Sequence, residues 1–323
     1  MSIQRFGITL GDPCGIGVEI TLKALQHNKT YRQNALLFGS LSMLRYYNER
    51  LGYDFVFNPI DSIEQWKEDV VNVHDPHPTS REEIPIGQVS ALGGEIAFQS
   101  VVSAIQFAQR GEISSVVTAP LNKEAMHLAG HIYAGHTEIF GEYTKGEHYA
   151  MLLYSEKLKA IHVSTHISLR KACDACTKER VLTVIRLADQ TLRKIGYERP
   201  KIAVAGLNPH AGENGLFGDE EIKEIIPAVE VANAEGITAI GPIAPDTVFL
   251  KAMQGEYDVV VAMYHDQGHI PLKLLAFDSG VNITVGLDVV RTSVDHGTAF
   301  DIADKLIASE KSLLEAIEVG MRL

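Results

Sequence analysis

Three short segments, each with one histidine, are the strongest candidates for chemistry in this sequence. The histidines are His166, His210 and His265, and each follows a run of residues typical of a buried β-strand. Three imidazoles delivered to one edge of a sheet form an open metal site with room for substrate or water. The alternative is three unrelated loop histidines bonded to nearby backbone. A single histidine favours that alternative, whereas three at equivalent positions favour the metal site.

Two carboxylates accompany these histidines: Asp246 in the segment PDTVF, and Asp266 directly after His265. Each is a candidate for a proton-transfer group or for a partner that orients an imidazole. Either residue is equally well interpreted as a helix cap.

Cationic and amide side chains suggest a site for an anion. Lys273, Asn282 and Arg291 each lie beside an expected strand or turn. Lysine supplies a point charge, arginine supplies a bidentate hydrogen-bond donor, and asparagine supplies a neutral donor. A helix beginning at Thr137, directly after His136, would add free backbone N–H groups. Taken singly, each of these residues is more simply a surface charge or a turn amide.

Familiar catalytic and nucleotide-binding motifs are absent from the sequence. It contains no Walker A loop, no GxSxG and no HExxH. The turn GDPCGIG lies between an expected strand and helix, but its glycine spacing is not the dinucleotide fingerprint. The pair Cys173 and Cys176 has CxxC spacing without a second pair, so two incidental helix cysteines are the better interpretation.

The elements that must position these residues are those of an α/β protein, because short β-branched runs alternate with amphipathic stretches. Ligands of a parallel α/β sheet bind beyond the carboxyl ends of its strands. The expected strands are Phe6–Leu10, Leu36–Gly39, Ile113–Thr118, Ala150–Tyr154, Ala160–Thr165, Ile202–Gly206, Val259–Met263 and Val281–Val285. The expected helices are Gly15–Leu25, Ala91–Arg110, Lys178–Ile195, Asp219–Ala234 and Thr298–Ala308.

Length and composition limit the functional classes. The 323 residues suit two domains, and 29 basic against 41 acidic residues give a net charge of −12, which makes nucleic acid an unlikely partner. We expect no membrane span and no signal peptide, because apolar runs are short and none opens the chain. An odd count of three cysteines suits a reducing compartment, so we expect a soluble cytoplasmic protein.

Several blocks together resemble the 4-hydroxythreonine-4-phosphate dehydrogenase family of vitamin B6 biosynthesis. The blocks are ITLGDPCGIGVEI, AGHTEIF, LNPHAGENGLFG, PDTVF, MYHDQG and VNITVGLDVVRTSVDHGTAFDIADK. They occur in order along nearly the whole chain. The segments HIPLK and LNKEA also resemble a sister branch that acts on 4-phospho-D-threonate or 4-phospho-D-erythronate.

The resemblance implies an α/β chain with the two-domain fold of isocitrate and isopropylmalate dehydrogenases, with the active-site cleft between the domains. We expect residues 1–125 plus 265–323 to form the first domain. Residues 126–264 would form the second, which carries dimerisation and metal ligands. The family resemblance further implies a homodimer whose active sites lie between subunits.

The resemblance also assigns roles to residues. It implies that His166, His210 and His265 bind a divalent metal, which zinc, magnesium, manganese or cobalt could supply. It implies that the phosphorylated substrate is held by His136, Thr137, Lys273, Asn282 and Arg291. It implies an NAD-binding loop, with NADP as the alternative cofactor, formed by Asp295, His296, Gly297, Thr298 and Ala299. The sequence departs from the family at Asp304, where DIAGK normally has glycine, and this side chain would tighten the expected helix or crowd the cofactor.

The expected activity is NAD-dependent, metal-assisted oxidation of 4-phosphohydroxy-L-threonine at C3, followed by decarboxylation to 3-amino-2-oxopropyl phosphate. The alternative within the family is a 4-phospho-D-threonate or 4-phospho-D-erythronate 3-dehydrogenase that gives dihydroxyacetone phosphate. Alternatives from other classes are a metal-dependent phosphatase or aldolase, and a non-catalytic sugar-phosphate or cofactor-binding protein.

Overall fold

The computed structural model describes residues 5–144, 146, 148–275 and 280–323. The chain divides into two compact units. The first comprises Met1–Glu147 and Leu287–Met321, and the second comprises His148–Gly286 with the last two residues. Within the described residues, no helix is both long and apolar enough to cross a membrane.

The first unit is built on parallel strands flanked by helices. Its strands are β1 (Phe6–Thr9), β2 (Ala35–Phe38), β3 (Phe57–Pro59), β4 (Val71–His74), β5 (Ser115–Thr118) and β12 (Val290–Val294). Its helices are α1 (Gly17–His27), α2 (Lys29–Asn34), α3 (Leu41–Arg50), α4 (Ala91–Gln109), α5 (Lys123–Leu128), α6 (His136–Thr144) and α12 (Lys311–Arg322).

The sheet of this unit runs in the order β3-β4-β2-β1-β5-β12, and every neighbouring pair is parallel. Strands β1, β2 and β5 are buried along their whole length, as expected of a parallel sheet with helices on its faces. Helix α4 begins where the Ser90 side chain accepts a hydrogen bond from Gly93 N. Its apolar face packs into a core that includes Phe38, Val101 and Phe140.

The second unit contains the remaining elements. Its strands are β6 (Ala150–Tyr154), β7 (Lys159–His162), β8 (Lys201–Ala205), β9 (Thr238–Ile243), β10 (Val259–Ala262) and β11 (Val281–Val285). Its helices are α7 (Leu169–Ala175), α8 (Lys178–Lys194), α9 (Ile226–Ala234), α10 (Pro245–Met253) and α11 (His265–Leu275).

The sheet of the second unit runs in the order β11-β6-β7-β10-β8-β9. Strands β7, β10, β8 and β9 are parallel neighbours, whereas β6 is antiparallel to both β7 and β11. A separate apolar core includes Leu153, Ala203 and Val260. The parallel part therefore gathers the carboxyl ends of four strands at one edge.

The unit boundaries lie later in the chain than the expected ones at 125/126 and 264/265. Helices α5 and α6 pack on α4 and so belong to the first unit. Helix α11 packs on β7 and β10, and β11 pairs with β6, so both belong to the second unit. These packing partners are distant in sequence from the segments they contact, whereas the expected boundaries rested on the resemblance in fold alone.

Two of the expected helices differ in the structure. The predicted helix Thr298–Ala308 is wrong: the segment is a series of turns, because Ala299, Asp304 and Leu306 have positive φ. The predicted helix Asp219–Ala234 is divided into a π-helical turn, Glu221–Ile225, and α9. Pro227 lies in the first turn of α9, where its missing N–H is tolerated.

Candidate active site

The three candidate metal ligands follow three adjacent strands. His166 follows β7, His265 follows β10 and His210 follows β8, and these strands lie side by side as β7-β10-β8 in parallel. All three histidines therefore leave the same edge of the second unit's sheet. Ligands of parallel sheets bind at this edge.

His166 and His265 come close together. Their ring centroids are 5.6 Å apart. Both line a cavity of about 300 Å³, which is wide enough for a small substrate group. The other lining residues are Thr165, Ile167, Leu169, Ala172, Tyr264 and Asp266.

The carboxylate of Asp266 determines which nitrogen of His265 is available. His265 Nδ1 lies 2.7 Å from Asp266 Oδ1. An ionised carboxylate accepts a hydrogen bond from Nδ1–H, which leaves Nε2 as the unprotonated ring nitrogen. Metal-binding histidines commonly have this arrangement, so Asp266 is placed to orient an imidazole.

Two further histidines, His269 and His162, pack in a row next to His265. The ring of His269 stacks on that of His265 with centroids 3.6 Å apart and an angle of 10° between the planes. His162, the last residue of β7, lies 4.8 Å from His269 and bonds through Nδ1 to Met151 O. Burial lowers the pKa of His162 to about 3 and that of His269 to about 4, so both rings are neutral at physiological pH.

His210 occupies a different environment. It opens a left-handed turn, and its ring lies 6.3 Å from that of Phe217. Within the described residues, no group of three or more His, Cys, Asp or Glu side chains is arranged to hold a metal. The structure thus brings two of the three expected ligands together and places the third in the segment that follows the neighbouring strand β8.

Asp246 lies in the first turn of α10, which follows β9 at the same edge of the sheet, and is exposed. Helix α10 packs on the segment Pro209–Gly215 that contains His210. Asp246 is therefore on the side of the site where His210 lies, and it is absent from the lining of the cavity between His166 and His265.

The first unit contains a buried arginine, Arg291, in a polar pocket that also holds the carboxylate of Glu138. This residue lies on β12 and is 3% exposed. Its guanidinium donates to Thr118 Oγ1 at the end of β5, at 3.2 and 3.3 Å, and to Thr137 Oγ1 in the first turn of α6, at 3.3 Å. Burial lowers the pKa of Arg291 to about 10, which leaves it charged at neutral pH.

His136 begins α6 beside this pocket. Its Nε2 is buried and has no hydrogen-bond partner among the described residues. Burial, followed by the charges of Arg291 and Lys123, lowers the pKa of His136 well below its usual value. A neutral imidazole at a helix N-terminus, next to a buried guanidinium, suits an incoming anion.

Lys273 and Asn282 belong to the second unit. Lys273 lies in the last turn of α11 and is exposed. Asn282 is on β11, and its Oδ1 is buried without a hydrogen-bond partner among the described residues. Of the five expected substrate residues, Arg291, Thr137 and His136 are therefore grouped in one unit, and these two lie in the other.

The sequence profile of the family described as "Pyridoxal phosphate biosynthetic protein PdxA" matches residues 31–320. The chain belongs to this family. The D-threonate 4-phosphate dehydrogenase of Pectobacterium atrosepticum is 48% identical over 321 residues, covering 98% of each chain. The 4-hydroxythreonine-4-phosphate dehydrogenase of Beijerinckia indica is 44% identical over 319 residues, covering 98% of this chain and 94% of that protein.

A crystal structure of a 4-hydroxythreonine-4-phosphate dehydrogenase from Klebsiella pneumoniae is similar to this PdxA-family chain, with a TM-score of 0.87. The two are 48% identical, and the match covers 98% of each chain. The predicted family and the predicted two-domain α/β fold are therefore confirmed. The prediction of an oxidoreductase acting on a CH–OH group is also confirmed, because the relatives are dehydrogenases.

The expected cofactor loop of this PdxA-family protein, Asp295 to Ala299, follows β12 without entering a helix. Ile16 N donates to Thr298 O at 3.1 Å. A Cβ atom on Gly15 would lie 2.7 Å from that carbonyl oxygen, so only glycine permits this approach. The turn GDPCGIG is thus a support for the loop, a role that its glycine spacing did not reveal.

Asp304, the departure from the family pattern, has φ +66°. Its carboxylate accepts hydrogen bonds from Arg50 Nη1 at 3.0 Å and from Tyr46 Oη at 3.0 Å, and Arg50 Nη2 donates to its carbonyl oxygen at 3.1 Å. These contacts anchor the segment after the cofactor loop to α3. The side chain of Asp304 therefore tightens this segment.

Other residues around the site escaped the sequence-based interpretation. His269 carried a usable signal, because His265 and His269 have i, i+4 spacing and so share one face of α11. Thr118 and the buried residues Glu221 and Gln267 carried none. Their contacts join segments that are far apart along the chain.

Proposed function

We propose that this chain is an NAD-dependent dehydrogenase that oxidises the C3 hydroxyl of a 4-phosphorylated four-carbon hydroxy acid, with D-threonate 4-phosphate as its preferred substrate. The observation that carries this proposal is 48% identity, over 98% of both chains, to a protein named for that substrate. The Salmonella typhimurium protein of the same name is also 48% identical, over both full lengths.

The second candidate substrate is 4-phosphohydroxy-L-threonine, which the sequence-based interpretation placed first. It is favoured by the name of the Beijerinckia indica relative and by the family description. The two substrates differ at C2, where D-threonate 4-phosphate has a hydroxyl group and the threonine compound has an amino group.

The phosphate is proposed to bind His136, Thr137, Lys273, Asn282 and Arg291. The pocket around Arg291 supports this assignment, because a buried guanidinium beside a helix N-terminus is an environment that favours a dianion. Binding energy from the phosphate, remote from C3, can align the reacting carbon with the cofactor.

His166, His210 and His265 would together hold a divalent cation. The first and last fit this role, because their rings lie 5.6 Å apart beside a cavity and the Asp266 contact leaves His265 Nε2 free to coordinate. Imidazole ligands suit zinc or cobalt better than magnesium or manganese. When bound, such a cation makes the substrate hydroxyl more acidic and stabilises charge that develops on its oxygen.

Two carboxylates, Asp266 and Asp246, are proposed to take part in proton transfer. Asp266 holds the tautomer of His265, and Asp246, on the side of the site where His210 lies, is proposed to accept or return a proton. Oxidation transfers a hydride from C3 to NAD and releases the hydroxyl proton. The resulting β-keto acid loses its carboxylate as carbon dioxide, and a proton added to the enolate at C2 gives dihydroxyacetone phosphate or, from the amino substrate, 3-amino-2-oxopropyl phosphate.

NAD is proposed to bind Asp295, His296, Gly297, Thr298 and Ala299, with NADP as the alternative. Two residues of this loop leave room for a nucleotide, because a Cβ at Gly297 would meet no atom within 4 Å and His296 is exposed. NAD supplies the hydride acceptor. The Gly15 contact with Thr298 holds the loop in place.

We also propose that the protein acts as a homodimer with active sites between subunits. Support comes from large apolar side chains that the second unit exposes near His210. Leu216 is 72% exposed, and Leu250 on α10 is 52% exposed. Burying such side chains against a second copy would be favourable.

A substrate panel tests the proposed function. The purified protein is stripped of metal, reloaded with Zn²⁺, Co²⁺, Mg²⁺ or Mn²⁺, and assayed for NADH with D-threonate 4-phosphate, D-erythronate 4-phosphate and 4-phosphohydroxy-L-threonine. We expect D-threonate 4-phosphate to give the highest kcat/KM, and NADP in place of NAD to give a lower value. Release of phosphate or an aldehyde without NADH would instead indicate the phosphatase or aldolase alternative.

A further inference from the structure

The segment that contains His210 has an unusual backbone. Five consecutive residues, His210 to Asn214, have positive φ of 53°, 53°, 78°, 43° and 57°. Only the third, Gly212, is a glycine. A left-handed turn costs roughly 1–2 kcal/mol for each L-residue in it, so it persists only where surrounding contacts fix it.

The carboxylate of Glu221 supplies such contacts. Glu221 begins the π-helical turn after this segment and is 2% exposed. Its Oε1 accepts hydrogen bonds from Leu207 N at 2.7 Å and Asn208 N at 2.8 Å. Its Oε2 accepts one from Asn208 Nδ2 at 2.9 Å. Three donors thus compensate a buried charge and fix the two residues that lead into the turn.

The carboxylate also packs against the turn itself. A Cβ atom on Gly212 would lie 2.6 Å from Glu221 Oε2, and a Cβ on Gly206 would lie 3.2 Å from Oε1. The carboxylate therefore fills the inside of the loop and leaves no room for a side chain at Gly212, whereas Ala211 is the nearest neighbour of Gly206. Any movement of the turn toward right-handed geometry would have to displace Glu221.

A second buried side chain joins this loop to the segment that contains His265. Gln267, 7% exposed, donates through Nε2 to Gly206 O at 2.8 Å and accepts from Met263 N through Oε1 at 2.6 Å. Gly206, where the segment leading to His210 begins, is thereby held at a fixed position relative to the turn before α11. Glu221 then determines the path of the chain from Gly206 to His210.

We propose that Glu221 is a positioning residue for His210: its buried carboxylate holds the left-handed turn, and the turn places the imidazole for metal binding. This inference rests on the proposed function, because it takes His210 as a metal ligand. A purely structural glutamate would affect folding stability without changing the metal affinity of the folded protein.

The test measures Co²⁺ affinity of the metal-stripped full chain by titration, together with thermal unfolding of the metal-free protein. Glu221→Gln keeps the size of the side chain but turns one acceptor into a donor facing Asn208 Nδ2. We expect it to weaken Co²⁺ binding about 10–100-fold, as is typical when the support of a metal ligand is removed. Glu220→Gln is the matched control, because Glu220 accepts a hydrogen bond from the side-chain amide of Asn208, and it should leave Co²⁺ affinity near that of the unaltered protein.

The outcomes separate this inference from the proposed function. If His210→Ala binds Co²⁺ as tightly as the unaltered protein, the assignment of His210 as a ligand fails. If His210→Ala loses affinity while Glu221→Gln retains it, the positioning role alone is refuted. Should Glu221→Gln not fold, Asn208→Ala removes one of the three donors. A several-fold loss of Co²⁺ affinity in Asn208→Ala then supports the role, and unchanged affinity overturns it.

Discussion

Replacing Arg291 with methionine should make the protein more stable and less active. Burial lowers the pKa of Arg291 from 12.5 to about 10. Because the folded pKa lies below the unfolded one, the charged form is disfavoured in the folded state, and the full penalty is present at every pH below about 10. One pKa unit corresponds to about 1.4 kcal/mol, so Arg291→Met should raise the free energy of unfolding by up to about 3 kcal/mol at neutral pH.

The same substitution should remove the main anchor for the substrate phosphate. Two charge-assisted hydrogen bonds at roughly 1.5–3 kcal/mol each amount to about 3–6 kcal/mol, or a loss of roughly 10²–10⁴-fold in kcat/KM. The measurements are NADH formation with D-threonate 4-phosphate and urea unfolding of the metal-free protein. Arg291→Lys is the control, because lysine keeps the charge but cannot donate in bidentate geometry. It should give a kcat/KM between those of Arg291→Met and the unaltered protein.

A rise in the free energy of unfolding together with a fall in kcat/KM distinguishes phosphate binding by Arg291 from a purely structural role. If Arg291→Met unfolds at lower urea concentration and binds substrate normally, Arg291 stabilises the fold through Thr118 and Thr137 and does not bind phosphate. A loss of both stability and activity would show that those threonine contacts outweigh the burial penalty, and the magnitude given above would be refuted.

Three further predictions concern the first unit. Burial raises the pKa of Asp12 from 3.8 to about 6, so the free energy of unfolding falls by about 3 kcal/mol as pH rises through that range. Urea unfolding should therefore show that Asp12→Asn gains about 3 kcal/mol of stability relative to the unaltered protein between about pH 4 and pH 7. A stability difference between the two proteins that stays constant with pH would contradict this prediction. Asp304→Ala should lower Tm by a few degrees, because the Arg50 contact is lost while the positive φ remains, and Asp304→Gly should lower it less. Gly15→Ala should raise KM for NAD several-fold with little change in KM for the phosphorylated substrate, because the added Cβ would displace Thr298; an equal rise in both would count against the cofactor loop.

Sequence patterns were informative about where strands lie. Strands Ala150–Tyr154 and Val281–Val285 were predicted with their observed bounds, because each is a short apolar or β-branched run with glycine or polar residues nearby. The placement of three histidines after strands followed from the same pattern. The observed order β7-β10-β8 then puts those strands side by side.

Geometry that depends on distant contacts could not be predicted in this way. The left-handed turn at His210 has one glycine among five residues, and what holds it is a glutamate that follows the turn. The pocket around Arg291 joins two strands and a helix from separate parts of the chain. The segment after β12 was predicted as a helix because its composition is helical, but Asp304 adopts a positive φ that its contact with Arg50 stabilises.

The most direct test of the metal site is an anomalous-difference map from crystals of the protein loaded with Zn²⁺, measured at the zinc absorption edge. We expect one peak with nitrogen atoms of His166, His210 and His265 at about 2.0–2.1 Å, whether the three rings come from one subunit or from two. A peak that any of these three imidazoles does not contact, or no peak beside the cavity that His166 and His265 line, would contradict the account.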